Sequence, residues 1–571
     1  MSEIADLPAK PPARLLGWLS RRPLLALALL CLTLWTPGVF TLPPLDRDES
    51  RFAQASKQML ETGDFVDIRF GAVPRYKKPV GIYWMQSATT AIAGLGDKDH
   101  IWTYRLPSLL GAVGAVWLAF WFARAFAAAE TAFLAAALLG ATLLMAGEAS
   151  IATTDAVLLA CVLGAQGMLL RVYLAARRGE PPPGIKLILL GWLAFGIGVL
   201  VKGPLVFAVF GLTAVGLALW DREWRWLKGT RPLLGIAVVF ALVAPWAIAI
   251  AIKSHGHFFQ QSLGQDFATK LEGGQESHGA PPGYYLLLST LTFWPAILFL
   301  LPGLVAAIRE RAEPAIRFLL VWAGTCWLMF ELVPTKLPHY ILPIYPALAM
   351  LAALWAFAPR SAASRWERVL AYVAAVQFAL GAAAFVAAPI ILPKLYGDGT
   401  TWWLITLAAL GGVLALAALV AFLRKANLAA ASLAFASALV FYPTLTLGAA
   451  SRLDQLWISP RAAAAVAELS RPGDPPPALA GYTEPSLVFL LGTRTRLTDG
   501  RGAAGAGAAQ GGLALVEEHE RTAFQARLAE LETDATDVGS ISGFNYSRGR
   551  RVHIRIYRVV PTPDEGAPPP E

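Results

Sequence analysis

Apolar residues fill runs of about 17–25 positions along most of this chain, the length that a helix needs to cross a hydrocarbon core of roughly 30 Å. The runs fall at roughly 23–42, 106–126, 131–147, 152–172, 185–201, 204–220, 232–252, 283–303, 318–333, 340–357, 368–390, 402–423 and 428–447, and predict about thirteen transmembrane helices. A bilayer leaves no water to satisfy open backbone groups, so the spans are expected to be helices packed as a bundle.

The polar segments between the runs predict the orientation. Arg14, Arg21 and Arg22 precede the first run, and alternate loops carry Arg177 and Arg178, the stretch 221–225, Arg309 and Arg311, Arg360 with Arg365 and Arg368, and Arg424 with Lys425. Basic residues mark the cytoplasmic side. The N-terminus is therefore expected inside, and an odd number of spans sends the C-terminus outside. The first run is longer than the core of a signal peptide and has no small-residue cleavage site behind it, so it is expected to stay as an anchor. Three regions then face the far side: a loop at 43–105, a loop at 253–282, and everything from 451 onward. Residues 1–450 are expected to form the membrane domain.

Two shorter stretches in the first external loop, 52–62 and 82–95, have helical apolar spacing and predict amphipathic surface helices. The tail changes period. Ala478-Leu479-Ala480 leading into Leu487-Val488-Phe489-Leu490-Leu491, then Leu513-Ala514-Leu515-Val516, and then Val552-His553-Ile554-Arg555-Ile556-Tyr557 read as three strands, with an amphipathic helix at 522–533. A small α/β domain over 451–560 is expected, with a flexible Gly/Ala loop at 502–512 and a disordered end at 561–571.

Composition agrees with a membrane protein. Mean hydropathy is +0.53, and 56% of residues are hydrophobic with only 15% charged, against about 25% charged in an ordinary soluble domain. The net charge of +9 is mostly the cytoplasmic bias of Lys and Arg, which excludes a nucleic-acid-binding reading. Cys31, Cys161 and Cys326 all lie in predicted spans, so they read as packing residues rather than disulfide partners.

Candidate chemistry gathers at the external ends of the spans. Asp46, Arg47, Asp48, Glu49 and Arg51 follow the first run directly. Arg75, Lys77 and Lys78 stand further along the same loop. Attraction to anionic headgroups and a place in a site are equally open for Arg75 and Lys77, whereas Lys78 is pinned by Pro79 beside an aromatic wall that includes Tyr83, a setting that suits a phosphate. Asp155 opens the fourth span, where it could also serve as an N-cap. Lys202 ends the fifth, where it could also snorkel. Lys336, His339 and Tyr340 lie in the turn before the tenth, with Tyr345 just beyond a helical turn further in. Acids and bases brought to one membrane face suit a lipid-linked substrate, its phosphate held by Lys or Arg and its tail between helices. The second external loop carries His255, His257 and His278 with several acids. That donor set leaves zinc open, although the spacing fits no well-defined site. A lid that brings Lys270 to a phosphate is the preferred reading.

Several motifs, taken in order, carry a resemblance. Asp48-Glu49-Ser50-Arg51-Phe52, Gly63-Asp64-Phe65, Lys78-Pro79, Tyr83-Trp84, Asp155, Lys202-Gly203-Pro204 and Lys336-Leu337-Pro338-His339-Tyr340-Ile341-Leu342-Pro343 resemble the bacterial branch of the protein O-mannosyltransferase-like glycosyltransferases, over about residues 1–450. The tail, with Tyr482-Thr483-Glu484-Pro485-Ser486 and Gly543-Phe544-Asn545-Tyr546, resembles the periplasmic domain of the aminoarabinose-transferring members more loosely, which makes Glu484 a candidate substrate contact. One departure is Lys77, where enterobacterial members are expected to carry an acid.

The resemblance implies a GT-C-like fold in the bacterial inner membrane with its active site and C-terminal domain in the periplasm. It also implies transfer of 4-amino-4-deoxy-L-arabinose from undecaprenyl phosphate to a phosphate of lipid A or a lipopolysaccharide precursor, a change that lowers lipid A negative charge and gives polymyxin resistance. Asp48 would be the principal catalytic acid and Asp155 the second, while Lys78 would hold the carrier phosphate. Glu49, Arg51, Tyr83, Lys202, Lys270, Lys336, His339, Tyr340, Tyr345 and Glu484 would line the substrate sites. No cofactor is required, and a monomer contacting membrane lipids is expected. Two alternatives remain open on sequence: a transferase for another polyprenyl-phosphate sugar or acceptor, and a lipid-linked-substrate transporter or flippase. A transporter should hold its charges near the bilayer midplane and show inverted repeats, and neither pattern is visible.

Overall fold

The structure, a computed structural model, describes residues 21–267, 279–358 and 364–561. The expected roles of Lys270 and His278, and the expected disordered end beyond 561, lie outside the described residues.

Every predicted apolar run forms helix. In chain order the first part of the molecule contains α1 Pro23–Thr41, α2 Asp48–Thr62, α3 Gly81–Ala93, α4 Ile101–Ala123, α5 Ala129–Ala141, α6 Leu143–Ala149, α7 Asp155–Arg178, α8 Ile185–Lys202, α9 Leu205–Asp221 and α10 Pro232–Lys253. It continues with α11 Tyr284–Thr292, α12 Ile297–Arg309, α13 Pro314–Leu332, α14 Tyr345–Phe357, α15 Arg365–Tyr396, α16 Trp402–Leu423 and α17 Asn427–Pro443.

The expected thirteen full spans are corrected, however. Ten helices among the described residues are long and apolar enough to cross a membrane, or eleven if the bent pair α5–α6 counts as one. The run at 283–303 is interrupted between α11 and α12 by Pro295, which cannot donate to a helical ladder, and α9 and α12 are short apolar helices. The protein is a multi-pass membrane protein. Its lipid-facing surface is plain on α10, where Leu233, Ile236, Phe240, Ile248 and Ile252 are exposed. At the other extreme α7 is the most enclosed of the ten spans, and it carries Asp155 at its first position.

The amphipathic helices of the first external loop are present, but α2 does not simply lie on a lipid surface. Its buried residues include Glu49, Gln54 and Lys57. One face packs on the membrane bundle and the other on the C-terminal domain, where Gln54 Nε2 donates to Thr493 Oγ1 at 2.6 Å and Lys57 Nζ to the Phe489 carbonyl at 3.2 Å. Gly63, at φ 72°, ends the helix in the left-handed conformation that glycine adopts without penalty. The chain then makes the hairpin β1 Arg69–Phe70 and β2 Val73–Pro74 and is fastened to α10 by Lys253 Nζ on Asp64 Oδ2 at 2.5 Å and by Trp246 Nε1 on the Val66 carbonyl at 3.2 Å.

The C-terminal part is an α/β unit with a five-stranded mixed sheet of order β4-β3-β5-β7-β6. Its strands are β3 Ala478–Ala480, β4 Arg496–Thr498, β5 Gly512–Glu517, β6 Ala535–Asn545 and β7 Arg550–Val559. Alternation explains why β5 is buried throughout: Leu513 and Leu515 face one core with Ile458, Ala462 and Ile556, while Ala514 and Val516 face the other with Ala503, Phe524 and Tyr557. The helices here are α18 Ile458–Leu469, α19 Pro485–Leu491, α20 Gly500–Gln510 and α21 Arg521–Glu530.

Two expectations in the tail are overturned. The apolar run 487–491 is helix α19, begun by Pro485 at its first position, where a missing N–H costs nothing. The expected flexible loop at 502–512 is mostly helix α20. Asp499 caps it by accepting from the Gly502 N–H at 2.7 Å, and the glycines are there for closeness: a Cβ on Gly507 would come within 2.8 Å of Val559.

Candidate active site

Two carboxylates and one arginine set the frame. Arg105, wholly buried, sends Nε to Glu49 Oε1 at 2.7 Å and Nη2 to Glu49 Oε2 at 2.9 Å, and its Nη1 and Nη2 also donate to the carbonyls of Val39, Leu42 and Pro43. Glu49 further accepts from the N–H groups of Leu45 and Ala152, both at 2.8 Å. This knot clamps the end of α1, the start of α2 and the residues before α7. Glu49, expected on substrate, is instead a framework residue whose two oxygens are both engaged.

Asp48, one residue earlier, turns the other way. It lines a polar cavity of about 310 Å³ together with Arg51, Arg75, Lys77, Lys78, Glu148, Asp155, Lys202, His339 and Tyr340. Its side chain is 54% exposed, and Arg75 Nη2 stands 3.8 Å from Oδ1. Partial burial would raise its pKa, but the charges of Arg75, His339, Arg51 and Lys78 outweigh that and hold the carboxyl below the ordinary value. Arg75 lies over the Phe52 ring at 5.3 Å. Between the cations Arg75 and Lys77, Tyr76 points into an apolar cluster, edge-on to Phe258. This alternation explains how the short basic run 75–78 presents its charges to the cavity.

The opposite wall is made by spans. Asp155 Oδ1 accepts from Lys202 Nζ at 2.5 Å, with both side chains buried, so the first residue of α7 and the last of α8 neutralise one another at the same end of the bundle. Lys202 Nζ also lies 5.4 Å from the Tyr340 ring centre. The kink between α5 and α6, 66° at Thr142, directs α6 so that Glu148 enters the wall, where its Oε2 accepts from Thr153 Oγ1 at 2.6 Å.

A second, apolar cavity of about 460 Å³ opens beside the first, among Val199, Phe207, Val243, Trp246, Phe330 and Val333. The two cavities share Lys77, Lys78, Lys202 and Tyr340. A greasy groove whose mouth is ringed by ammonium groups is chemically fitted to a phosphate carried on a hydrocarbon tail.

Asp48, Arg51, Lys78, Asp155, Lys202, His339 and Tyr340 are therefore brought together as the sequence predicts. Others are not. The Tyr345 hydroxyl is fully buried and bonds Thr292 Oγ1 at 2.6 Å, and Lys336 is buried with Nζ on the Val333 carbonyl at 2.8 Å. Tyr83 is buried under Phe52, with ring centres 5.5 Å apart. Glu484 stays within the C-terminal unit, accepting from Asn545 Nδ2 at 2.8 Å and Arg548 Nε at 3.0 Å. None of these four lines either cavity. His255 and His257 are exposed, and no three His, Cys, Asp or Glu side chains come together as metal ligands among the described residues.

The C-terminal unit reaches the site through Asp46 and Arg47. Ser486 Oγ donates to Asp46 Oδ1, the Asp46 N–H donates to the Tyr546 hydroxyl at 2.7 Å, and Arg47 Nη2 donates to the Ser547 carbonyl at 2.8 Å. Arg47 immediately precedes α2 with φ 64°, a conformation that L side chains rarely adopt. The domain thus holds the strained residue next to Asp48. Burial pushes the Asp46 carboxyl up to about 6, against the opposing hydrogen bond from Ser486.

Sequence reasoning missed Arg105 and Glu148 and left Arg75 open between lipid headgroups and the site, where the structure places it beside Asp48. An arginine and a glutamate just outside two apolar runs were the available signals.

The membrane bundle and the C-terminal α/β unit together have the GT-C fold. The structure aligns with two crystal structures of ArnT from Cupriavidus metallidurans. For the form bound to undecaprenyl phosphate the TM-score is 0.72 at 22% identity, covering 94% of this chain and 98% of that one; for the apo form the TM-score is 0.70 at 21% identity, covering 95% and 98%. Residues 77–248 match the family model described as dolichyl-phosphate-mannose-protein mannosyltransferase. The chain is 31% identical over 326 residues to an undecaprenyl phosphate-alpha-4-amino-4-deoxy-L-arabinose arabinosyl transferase of Pseudomonas aeruginosa, and over 328 residues to one of Aeromonas hydrophila. In both cases the match spans 55% of this chain and 57%, a little over half, of the relative's own length.

Proposed function

We propose that the protein transfers 4-amino-4-deoxy-L-arabinose from undecaprenyl phosphate to a phosphate of lipid A, as an inner-membrane enzyme with its N-terminus in the cytoplasm and its site in the periplasm. The observation that carries this reading is the junction of the two cavities at Lys77, Lys78, Lys202 and Tyr340. There a carrier phosphate would meet cations while its isoprenoid tail lies in the apolar groove. The names of the relatives support the donor, and the ordered motifs from Asp48 to Pro343 support the acceptor.

A phosphate acceptor is already ionised at neutral pH, so no general base is needed to make it a nucleophile. Its oxygen attacks the anomeric carbon, the bond from that carbon to the carrier phosphate breaks, and undecaprenyl phosphate leaves with the electron pair. Asp48, held ionised by its cationic neighbours, orients the sugar and stabilises the positive charge that develops on its ring. Lys78 and Arg51 offset charge on the leaving phosphate. A single displacement inverts the anomeric configuration.

The test is lipid A mass spectrometry in cells that make the donor but lack a transferase of their own. Expression of this protein should add an aminopentose to lipid A, and expression of folded Asp48→Asn should not. Unmodified lipid A with the unaltered protein would reject the reading.

A further inference from the structure

The carboxylates that line the polar cavity differ in how their charge is met. Asp155 is paired with Lys202 at 2.5 Å, Asp48 faces Arg75 at 3.8 Å, and Glu49 is saturated by Arg105. Asp46, toward the C-terminal unit, is tied to Ser486. Glu148 stands apart. Its side chain is only 7% exposed, and among the described residues it pairs with no Lys or Arg. Oε2 accepts from Thr153 Oγ1, whereas among the described residues Oε1 has no hydrogen-bond donor, and His339 Nδ1 stands 3.9 Å from it. A carboxyl oxygen that borders a cavity without a donor of its own has capacity to accept one from a ligand.

From this geometry we infer that Glu148 is the specificity residue for the donor sugar's amine: Oε1 accepts a hydrogen bond from the sugar's ammonium group, which brings a cation to the wall's second acid, since Lys202 is already paired with Asp155. The inference rests on the proposed amino-sugar transfer and names a residue for part of it. The fold supports such a role because the break at Thr142 is what turns α6 inward. Thr142 leaves the helical conformation, its Oγ1 accepts from the Met145 N–H at 3.4 Å, and the Leu143 N–H donates to the Trp294 carbonyl at 2.9 Å. A straight helix through 129–149 would give Glu148 another direction. Thr153 then fixes one carboxylate oxygen and leaves the other toward the cavity. A sugar with a hydroxyl in place of the amine could still donate to Oε1 but would bring no charge, so a charge-assisted bond would be exchanged for a weaker neutral one.

The test compares two donors on the purified, full-length protein: undecaprenyl phosphate carrying the aminopentose, and undecaprenyl phosphate carrying the same pentose with a hydroxyl in place of the amine. The unaltered protein should favour the amine donor in kcat/KM, and Glu148→Gln should lower kcat/KM for the amine donor by about 10- to 100-fold, the worth of one charge-assisted hydrogen bond, while changing the hydroxyl donor little. Glu148→Asp, which keeps the charge, should retain part of the preference and serves if the glutamine variant does not fold. An equal loss on both donors, or an unchanged preference in both variants, would overturn the role of Glu148 while leaving the proposed function intact. Transfer from neither donor by the unaltered protein would reject the proposed function itself.

Discussion

Asp48 and Glu49 are consecutive acids at the start of one helix, and they sit in opposite environments. Glu49 is enclosed and receives four hydrogen bonds, two from Arg105 and two from backbone N–H groups. Asp48 is half-exposed, faces a cavity, and has cations near it without being locked to any of them. The lesson is that burial and pairing, more than residue type, separate framework charge from working charge. A saturated pair defines where the chain runs, whereas a partly met carboxylate still has capacity for a ligand. The wall formed by Asp155, Lys202 and Glu148 repeats the contrast, with one acid fully paired and one left with a free oxygen.

The largest effect that would sharpen this contrast comes from the framework side. Replacing Arg105 by Met leaves Glu49 buried without its cation, and breaking such a pair costs about 3–5 kcal/mol. Chemical unfolding of the protein in detergent should show a loss of that size, and a loss below about 1 kcal/mol, the range of exposed pairs, would mean that the knot does not hold the loop. On the working side, Lys78→Met should raise the KM for the lipid-linked donor by about 10- to 100-fold with little change in folding, as expected for loss of one charged phosphate contact. A variant equally impaired in stability and in donor binding would blur the distinction.

A smaller effect concerns the contact between loop and C-terminal unit. Asp46 has its carboxyl raised to about 6 in the fold, above the unfolded value near 3.9. Its contribution to stability is therefore fully present below about pH 4 and fades as pH rises through 6. Asp46→Asn should remove this dependence and stabilise the protein by about 1–2 kcal/mol at pH 7.5, a figure reduced for partial exposure. Thermal midpoints at pH 4.5 and 7.5 would check it, with an unchanged difference between the two counting against the assignment.

Much of the membrane domain was legible because span length and apolarity are single-segment properties. All thirteen runs became helix, and the motifs at their external ends converged. What could not be read was pairing. Nothing local distinguishes Asp48 from Glu49, since the partner of Glu49 lies 56 residues further on. Arg105 and Glu148 lay at the margins of apolar runs, where charges ordinarily meet headgroups. Tyr345 and Lys336 looked well placed by topology, but their side chains turn into the protein. In the tail, Gly500–Gln510 is a helix against propensity, because small residues let it approach the sheet at Val559, and tertiary packing overrides the glycine penalty. Strands β4 and β6 went unseen: β4 is three residues long, and the 535–545 stretch is largely polar.

The most direct measurement compares Asp48→Asn with Glu49→Gln in the same purified system, recording both sugar transfer per folded molecule and resistance to unfolding. Asp48→Asn should fold as the unaltered protein does and lose transfer by about 10³-fold, the scale on which a positioned electrostatic group acts. Glu49→Gln should unfold more readily and retain substantial transfer in the molecules that remain folded. Full transfer by Asp48→Asn, or loss of transfer by fully stable Glu49→Gln, would contradict the division of roles between these two neighbouring acids.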